Sequence, residues 1–201
     1  LKEMMETKGT IYFDMDGTLA NFYGVENWLD YLENEDTTPY AIARPLFNFS
    51  VFARLLHKLQ ENGYRIGIVS WLSKCGSTAY NTAVTSVKLA WLEKHLPSVE
   101  WDEVKIVNYG TPKSTVVDCD GWLFDDEERN REEWGELRRL EADGTDDDPA
   151  LRAECRLPHD HDCDEHDDIK NVELLAETCE HLVVEVHEKR RESDVHEGED
   201  A

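Results

Sequence analysis

The chain has 201 residues, of which 40% are apolar, and a net charge of −24. This is enough apolar sequence for one buried core, so one globular domain is expected. The chain contains no run of 18 apolar residues, and its first residues lack the apolar segment of a signal peptide. Both observations argue against a membrane partner and against secretion.

The charge is concentrated towards the C-terminal end. Residues 141–201 carry 6 Lys and Arg against 22 Asp and Glu, a net charge of −16, whereas residues 1–140 carry 15 against 23, a net charge of −8. A polyanionic segment repels phosphate backbones, so duplex nucleic acid is not an expected partner. The five cysteines are odd in number and lack Cys-x-x-Cys spacing, which is typical of reduced thiols in the cytoplasm. We predict that Cys75, Cys119 and Cys179 are small packing residues.

Strand and helix patterns alternate over the first 126 residues. This alternation predicts βαβ units and an α/β fold with a mostly parallel sheet. The predicted strands cover residues 10–13, 64–69, 103–107 and 121–124, and the predicted helices cover residues 51–62, 79–95 and 127–140, with a short helix from about residue 113.

Two segments depart from this alternation. Residues 20–50 predict a small insertion over the site, and their aromatic side chains would either stack a nucleobase or form the core of the insertion itself. Those aromatic residues are Phe22, Tyr23, Trp28, Tyr31, Tyr40, Phe47 and Phe49.

The second segment divides the C-terminal part from a core of residues 1–140. Residues 141–168 are acidic and rich in His, which predicts a disordered insertion. We expect residues 169–186 to return to the core as a helix and strand, and residues 187–201 to form a tail. Four residues of the insertion could hold Zn²⁺ or Ni²⁺, or could be part of an unstructured polar run. They are His159, His161, Cys163 and His166.

The most informative motif is Asp14-Met15-Asp16-Gly17-Thr18, which directly follows an apolar β-prone run. Two acids at the tip of a buried strand lie where open α/β sheets bind ligands. They repel each other unless a cation or a proton lies between them, so the motif predicts Mg²⁺. Gly17 allows a tight turn.

Three further positions complete a pattern. Ser70 closes the second predicted strand, Lys113 begins the short helix, and Asp125-Asp126 closes the fourth predicted strand. With the first motif, they stand in the order found in phosphatases of the haloacid dehalogenase superfamily, which the chain resembles over roughly residues 10–131. The short insertion and the final acidic pair are also similar to small deoxyribonucleotidase-like and phage-type members.

The resemblance implies a Rossmann-like, three-layer α/β/α fold with a small cap, and a Mg²⁺-dependent phosphomonoester hydrolase. Asp14 would be the nucleophile that forms an aspartyl-phosphate, and Asp16 would be the general acid and base. Lys113 would be the catalytic cation. Only 56 residues separate Asp14 from Ser70, which favours hydrolysis over phosphoryl transfer within a closed site.

The resemblance also implies the ligand sets. Mg²⁺ would be held by the Asp14 carboxylate, the Asp16 backbone carbonyl and the final acidic pair, with Asp126 as the direct ligand and Asp125 acting through a water. The phosphoryl group would be bound by Ser70, the amides that follow it (Trp71 first), Lys113 and Gly17. The substrate would be a nucleoside monophosphate or another small phosphorylated metabolite, and the protein is expected in the cytoplasm. The pattern leaves the oligomeric state open.

Other interpretations of the same residues remain open at this point. Asp14 and Asp16 could form a strand-end turn, Ser70 could cap a helix, Lys113 could be a surface lysine, and Asp125-Asp126 could cap the next helix. The alternative function is a non-catalytic acidic interaction protein that uses the same fold as a scaffold.

Overall fold

Four parallel strands form the central sheet in the computed structural model, which describes residues 7–117 and 121–142. In chain order the elements are β1 (Thr10–Phe13), β2 (Ala20–Asn21), α1 (Trp28–Glu33), α2 (Thr38–Ile42), β3 (Arg44–Pro45), α3 (Phe49–Glu61), β4 (Arg65–Trp71), α4 (Thr78–His95), β5 (Glu103–Val107), a 3₁₀ turn (Lys113–Thr115), β6 (Trp122–Phe124) and α5 (Glu128–Ala142).

The strands lie in the order β5-β4-β1-β6, and each neighbouring pair is parallel. The predicted α/β class and mostly parallel sheet are therefore confirmed. The predicted second strand ends two residues too early, because Ser70 and Trp71 pair with Ile106 and Val107 of β5.

Helices cover both faces of the sheet, since successive strand residues point to opposite sides. On one face, the ring of Tyr12 meets Trp134 of α5, with 5.6 Å between the ring centroids. On the other face, Phe13 meets Phe52 of α3 at 5.2 Å. The expected three-layer arrangement is present, with β1 at the centre of the core.

The long helices begin at side-chain caps. Asn48 accepts hydrogen bonds from the backbone N–H groups of Ser50 and Val51 at the start of α3. The Ser77 hydroxyl accepts from the N–H of Tyr80 at the start of α4. These caps satisfy donors that have no partner within a helix.

The insertion contains α1 and α2 between the short antiparallel strands β2 and β3. It packs against α4, where Phe22 and Tyr40 form one buried cluster with Tyr80 and Val84. The indole N–H of Trp91 donates to the buried carbonyl of Ala43 at 2.7 Å. Phe22 and Tyr40 are therefore buried packing residues between the insertion and α4, whereas Tyr23 is 47% exposed.

Three further predictions have different outcomes. Cys75 is exposed and has a φ of 62°, so its prediction as a packing residue is wrong. The described helices include none that is both long and apolar enough to cross a membrane. Apart from the end of α5, the predicted segments after residue 140 lie outside the described residues, as do Cys119 and the histidine run.

Candidate functional site

Three of the strands deliver polar residues to one edge of the sheet. Asp14 directly follows β1, Asp125 directly follows β6, and Ser70 is the second-to-last residue of β4. Because β4, β1 and β6 are adjacent and parallel, their carboxyl ends meet in the place where such sheets bind ligands. The backbone N–H of Asp14 donates to the carbonyl of Phe124 at 2.9 Å and ties the ends of β1 and β6 together.

Asp14, Asp125 and Asp126 form an acidic cluster at this edge. Each offers a carboxylate oxygen, and these oxygens lie within 4.8 Å of one another. Asp14 is 6% exposed and Asp125 is fully buried. The buried Oδ1 of Asp14 has one close partner among the described residues, the ammonium of Lys113.

Lys113 lies between two of these acids. Its Nζ is 2.9 Å from Oδ1 of Asp14 and 2.5 Å from Oδ2 of Asp125, and the residue is 3% exposed. Burial by itself lowers the pKa of Lys113, but the charges of Asp14 and Asp125 outweigh it and raise the pKa. The surface-lysine interpretation is wrong, and the ammonium stays charged within the cluster.

A shell of donors holds the final acidic pair in place. The side-chain amide of Asn130 donates to both carboxylate oxygens of Asp125, at 3.1 and 3.0 Å, and the N–H of Glu127 donates to Oδ1 at 2.9 Å. Arg131 donates to the carbonyls of Asp125 and Asp126 at 2.6 and 2.7 Å. Asn130 and Arg131 were not among the predicted site residues; their position one turn after the acidic pair is the signal that could have found them.

The electrostatics of the cluster favour a bound positive charge. Burial, followed by the charge of Asp14, raises the pKa of Asp125 to about 6. Burial and the charges of Asp14 and Asp125 raise the pKa of Asp126 to about 8. Protons therefore partly neutralise the acids when no cation is bound, and a divalent cation would take over that role.

The turn after β1 is shaped around Asp126. Gly17 has a φ of +78°, and a Cβ atom at this position would lie 2.3 Å from Oδ2 of Asp126. The hydroxyl of Thr18 accepts from the N–H of Asp126 at 3.1 Å and donates to its Oδ1 at 3.4 Å. The N–H of Gly17 donates to the carbonyl of Ala20 at 2.9 Å. Gly17 thus makes room for the acid, and its own N–H is bonded within the turn.

Asp16 faces a different partner from Asp14. Its Oδ2 is 2.7 Å from Nζ of Lys88, and its side chain is 21% exposed. Burial raises the pKa of Asp16 against the opposing charge of Lys88, and the charge of Asp14 adds to the increase. The carboxylate of Asp16 is not part of the acidic cluster.

Lys88 is a site residue that the sequence analysis missed. It lies on α4, where it continues the buried face formed by Tyr80, Val84 and Trp91, and it is 1% exposed. A lysine within an apolar stripe of helical spacing is the signal that could have found it, because buried lysines need a partner.

Ser70 and the two residues after it form hydrogen bonds within the protein. Ser70 is fully buried, and its hydroxyl accepts from Nζ of Lys88 at 3.0 Å. It does not cap a helix, since it lies within β4. The indole N–H of Trp71 donates to the carbonyl of Thr111 at 2.8 Å, and the N–H of Leu72 donates to Val107 at 2.7 Å. The Leu72 amide is therefore bonded to the sheet and does not face a phosphoryl group.

No protein-family model matches the chain, and no curated protein is similar enough to match.

Proposed function

We propose that this protein is a Mg²⁺-dependent phosphomonoester hydrolase of the haloacid dehalogenase type, with the 20–50 insertion as a small cap. The observation that carries the proposal is the meeting of Asp14, Asp125 and Asp126 around the buried ammonium of Lys113. A pure scaffold has no need of three acids and a lysine buried together, because burying charge is costly.

The acidic cluster suits Mg²⁺. Asp14 and Asp126 would supply hard oxygen ligands, with the backbone carbonyl of Asp16 as a third. Both oxygens of Asp125 already accept hydrogen bonds within the protein, so this residue would act on the ion through a water. When bound, the ion would offset negative charge on the acids and on the phosphoryl group. Lys113 would balance the remaining charge beside the nucleophile.

The first step would transfer the phosphoryl group to the protein. A carboxylate oxygen of Asp14 attacks phosphorus, and the bond between phosphorus and the ester oxygen breaks. The electron pair leaves with that oxygen, which takes a proton from Asp16 and departs as an alcohol. The products are an aspartyl-phosphate at residue 14 and a carboxylate at residue 16.

The second step would restore the enzyme. The Asp16 carboxylate takes a proton from water while the water oxygen attacks phosphorus. The bond between phosphorus and the Asp14 oxygen breaks, which releases inorganic phosphate and returns both aspartates to their starting forms.

The test is phosphate release with Mg²⁺ and with EDTA, from the wild-type protein and Asp14→Asn. We expect release only from the wild-type protein with Mg²⁺, and a loss of at least about 10⁴-fold in the variant, as for nucleophiles in other covalent enzymes. Equal release from both proteins, or release from neither, would show that the proposal is wrong. The second result would favour the acidic interaction protein.

Nucleoside monophosphates are the first substrate class to test. Tyr23 is 47% exposed and lies beside Gly17, and Tyr109 is 45% exposed and packs against Trp71 with 4.9 Å between the ring centroids. These rings offer flat surfaces to a base near the cluster. Higher activity towards nucleotides than towards sugar phosphates is expected, and equal rates for the two classes would remove this substrate assignment.

A further inference from the structure

We infer that Lys88 is a positioning residue that fixes the carboxyl group of Asp16 for proton transfer to the leaving oxygen. The inference rests on the proposed function. It assigns a task to a buried lysine that lies 72 residues from its aspartate along the chain.

The ammonium of Lys88 joins two parts of the site. It donates to Oδ2 of Asp16 at 2.7 Å, to the hydroxyl of Ser70 at 3.0 Å and to the carbonyl of Trp71 at 2.7 Å. Asp16 comes from the turn after β1, while Ser70 and Trp71 end β4. One cation therefore fixes the turn of the proposed acid relative to the neighbouring strand.

This geometry leaves Lys88 no role as a substrate ligand. An ammonium has three N–H donors, and all three are bonded to protein atoms. Lys88 is 1% exposed, so a phosphoryl group has no route to it. Its influence on the reaction must pass through the groups that it binds.

Asp16 keeps one oxygen for chemistry. Lys88 binds Oδ2, while Oδ1 accepts no hydrogen bond from the residues that the structure describes. The side chain is 21% exposed, so part of Asp16 is accessible from outside the protein. Holding Oδ2 fixes the direction in which Oδ1 points.

The helix that carries Lys88 is itself firmly placed. One turn before the lysine, Val84 is buried against the insertion; one turn after it, the indole of Trp91 is bonded to Ala43. The centroid of the Tyr40 ring lies 5.2 Å from the ammonium. Lys88 is therefore a rigid support, as precise proton transfer requires.

The experiment compares two substrates within each protein sample. The 4-nitrophenolate of 4-nitrophenyl phosphate leaves readily without a proton, whereas the alkoxide of glycerol 3-phosphate needs one. The ratio of kcat/KM for the aryl ester to kcat/KM for the alkyl ester therefore measures proton donation. This ratio does not depend on the fraction of folded protein, so a purely structural defect leaves it unchanged.

The reference variant is Asp16→Asn, which removes the proposed acid. General acid catalysis contributes about 10²–10⁴-fold, so this variant should raise the aryl-to-alkyl ratio on that scale. Lys88→Met should raise the ratio in the same direction by at least about 10-fold, since a misplaced acid loses part of that contribution. The double variant should show the ratio of Asp16→Asn alone.

Matched controls make the result decisive. Lys94→Met removes an exposed lysine from the same helix and should leave the ratio unchanged. Lys88→Gln also lacks the ammonium, and it replaces Lys88→Met if the methionine protein does not fold.

An unchanged ratio in the Lys88 variant would overturn the inference, as would a double variant whose ratio exceeds that of Asp16→Asn. The ratio is also unchanged when kcat/KM falls by the same factor for both esters, and Lys88 would then act on more than Asp16. Failure of the proposed function has a different result, since the wild-type protein would then release no phosphate from either ester.

Discussion

Two lysines of this site form ion pairs with aspartates, and the partners of the two ammonium groups differ. Lys113 contacts the carboxylates of Asp14 and Asp125, while Lys88 binds one carboxylate, that of Asp16, and two neutral oxygen atoms. Both ammonium groups are buried.

The difference indicates that Lys113 compensates negative charge, whereas Lys88 positions a carboxyl group. Lys113 counters the repulsion among acids that lie within 4.8 Å of one another, so its charge matters most. Lys88 satisfies every donor with a fixed partner, so its geometry matters most. Removing the charge of Lys113 or the metal should therefore lower activity towards every substrate. The effect of removing Lys88 should instead depend on the leaving group of the substrate.

The largest expected effect tests the charge of Lys113. Lys113→Met should lower kcat by at least about 10²–10³-fold with both aryl and alkyl phosphates, as loss of a preorganised charge contact does in other enzymes. Steady-state kinetics would measure it, with Lys105→Met as the control because Lys105 is a partly exposed lysine of β5. A loss confined to alkyl phosphates would erase the distinction between the two lysines.

The next effect tests the support of the metal ligands. Asn130 donates to both oxygens of Asp125, and outer partners of this kind affect metal affinity by about 10–100-fold. Asn130→Ala should therefore raise the Mg²⁺ concentration for half-maximal activity by at least about 10-fold. Arg129→Ala, at the exposed neighbouring position, is the control. Equal Mg²⁺ requirements in the two variants would contradict this role of Asn130.

The smallest effect concerns the metal-free cluster. The pKa values of Asp125 and Asp126, about 6 and about 8, exceed the value of about 4 in an unfolded chain. The folded protein then holds more protons than the unfolded chain above about pH 4, so its free energy of unfolding falls as the pH rises to about 8.

Melting curves in EDTA should show this decline, and Asp126→Asn should weaken it. Mg²⁺ should raise the melting temperature more at pH 8 than at pH 6, because fewer protons compete for the acids. A stabilisation by Mg²⁺ that is the same at both pH values would show that the acids do not titrate in this range.

Local patterns were sufficient for part of the fold. β1 and β5 lie at their predicted bounds because each is a short β-prone run with clear ends. Asp14 and Asp125 were found for the same reason, since each follows an apolar strand. The extension of β4 to Trp71 depends on pairing with Val107, which a local pattern does not contain.

The rest of the site depends on contacts between distant residues. Lys88 meets Asp16 because its side chain reaches the end of β4, and a lysine in a helix is ordinarily a surface residue. The N–H of Gly17 donates to the carbonyl of Ala20, a bond within the turn after β1 that the motif alone does not reveal. Cys75 was expected in the core, yet it lies in an exposed turn with positive φ.

The most direct test looks for the covalent intermediate. The protein is mixed with Mg²⁺ and substrate, quenched with acid during turnover, reduced with borohydride and digested for peptide mass spectrometry. Reduction converts an acyl phosphate of aspartate to homoserine, and we predict homoserine at residue 14 of the wild-type protein. Homoserine at residue 16, or at neither position while phosphate is being released, would contradict the assignment of Asp14 as the nucleophile.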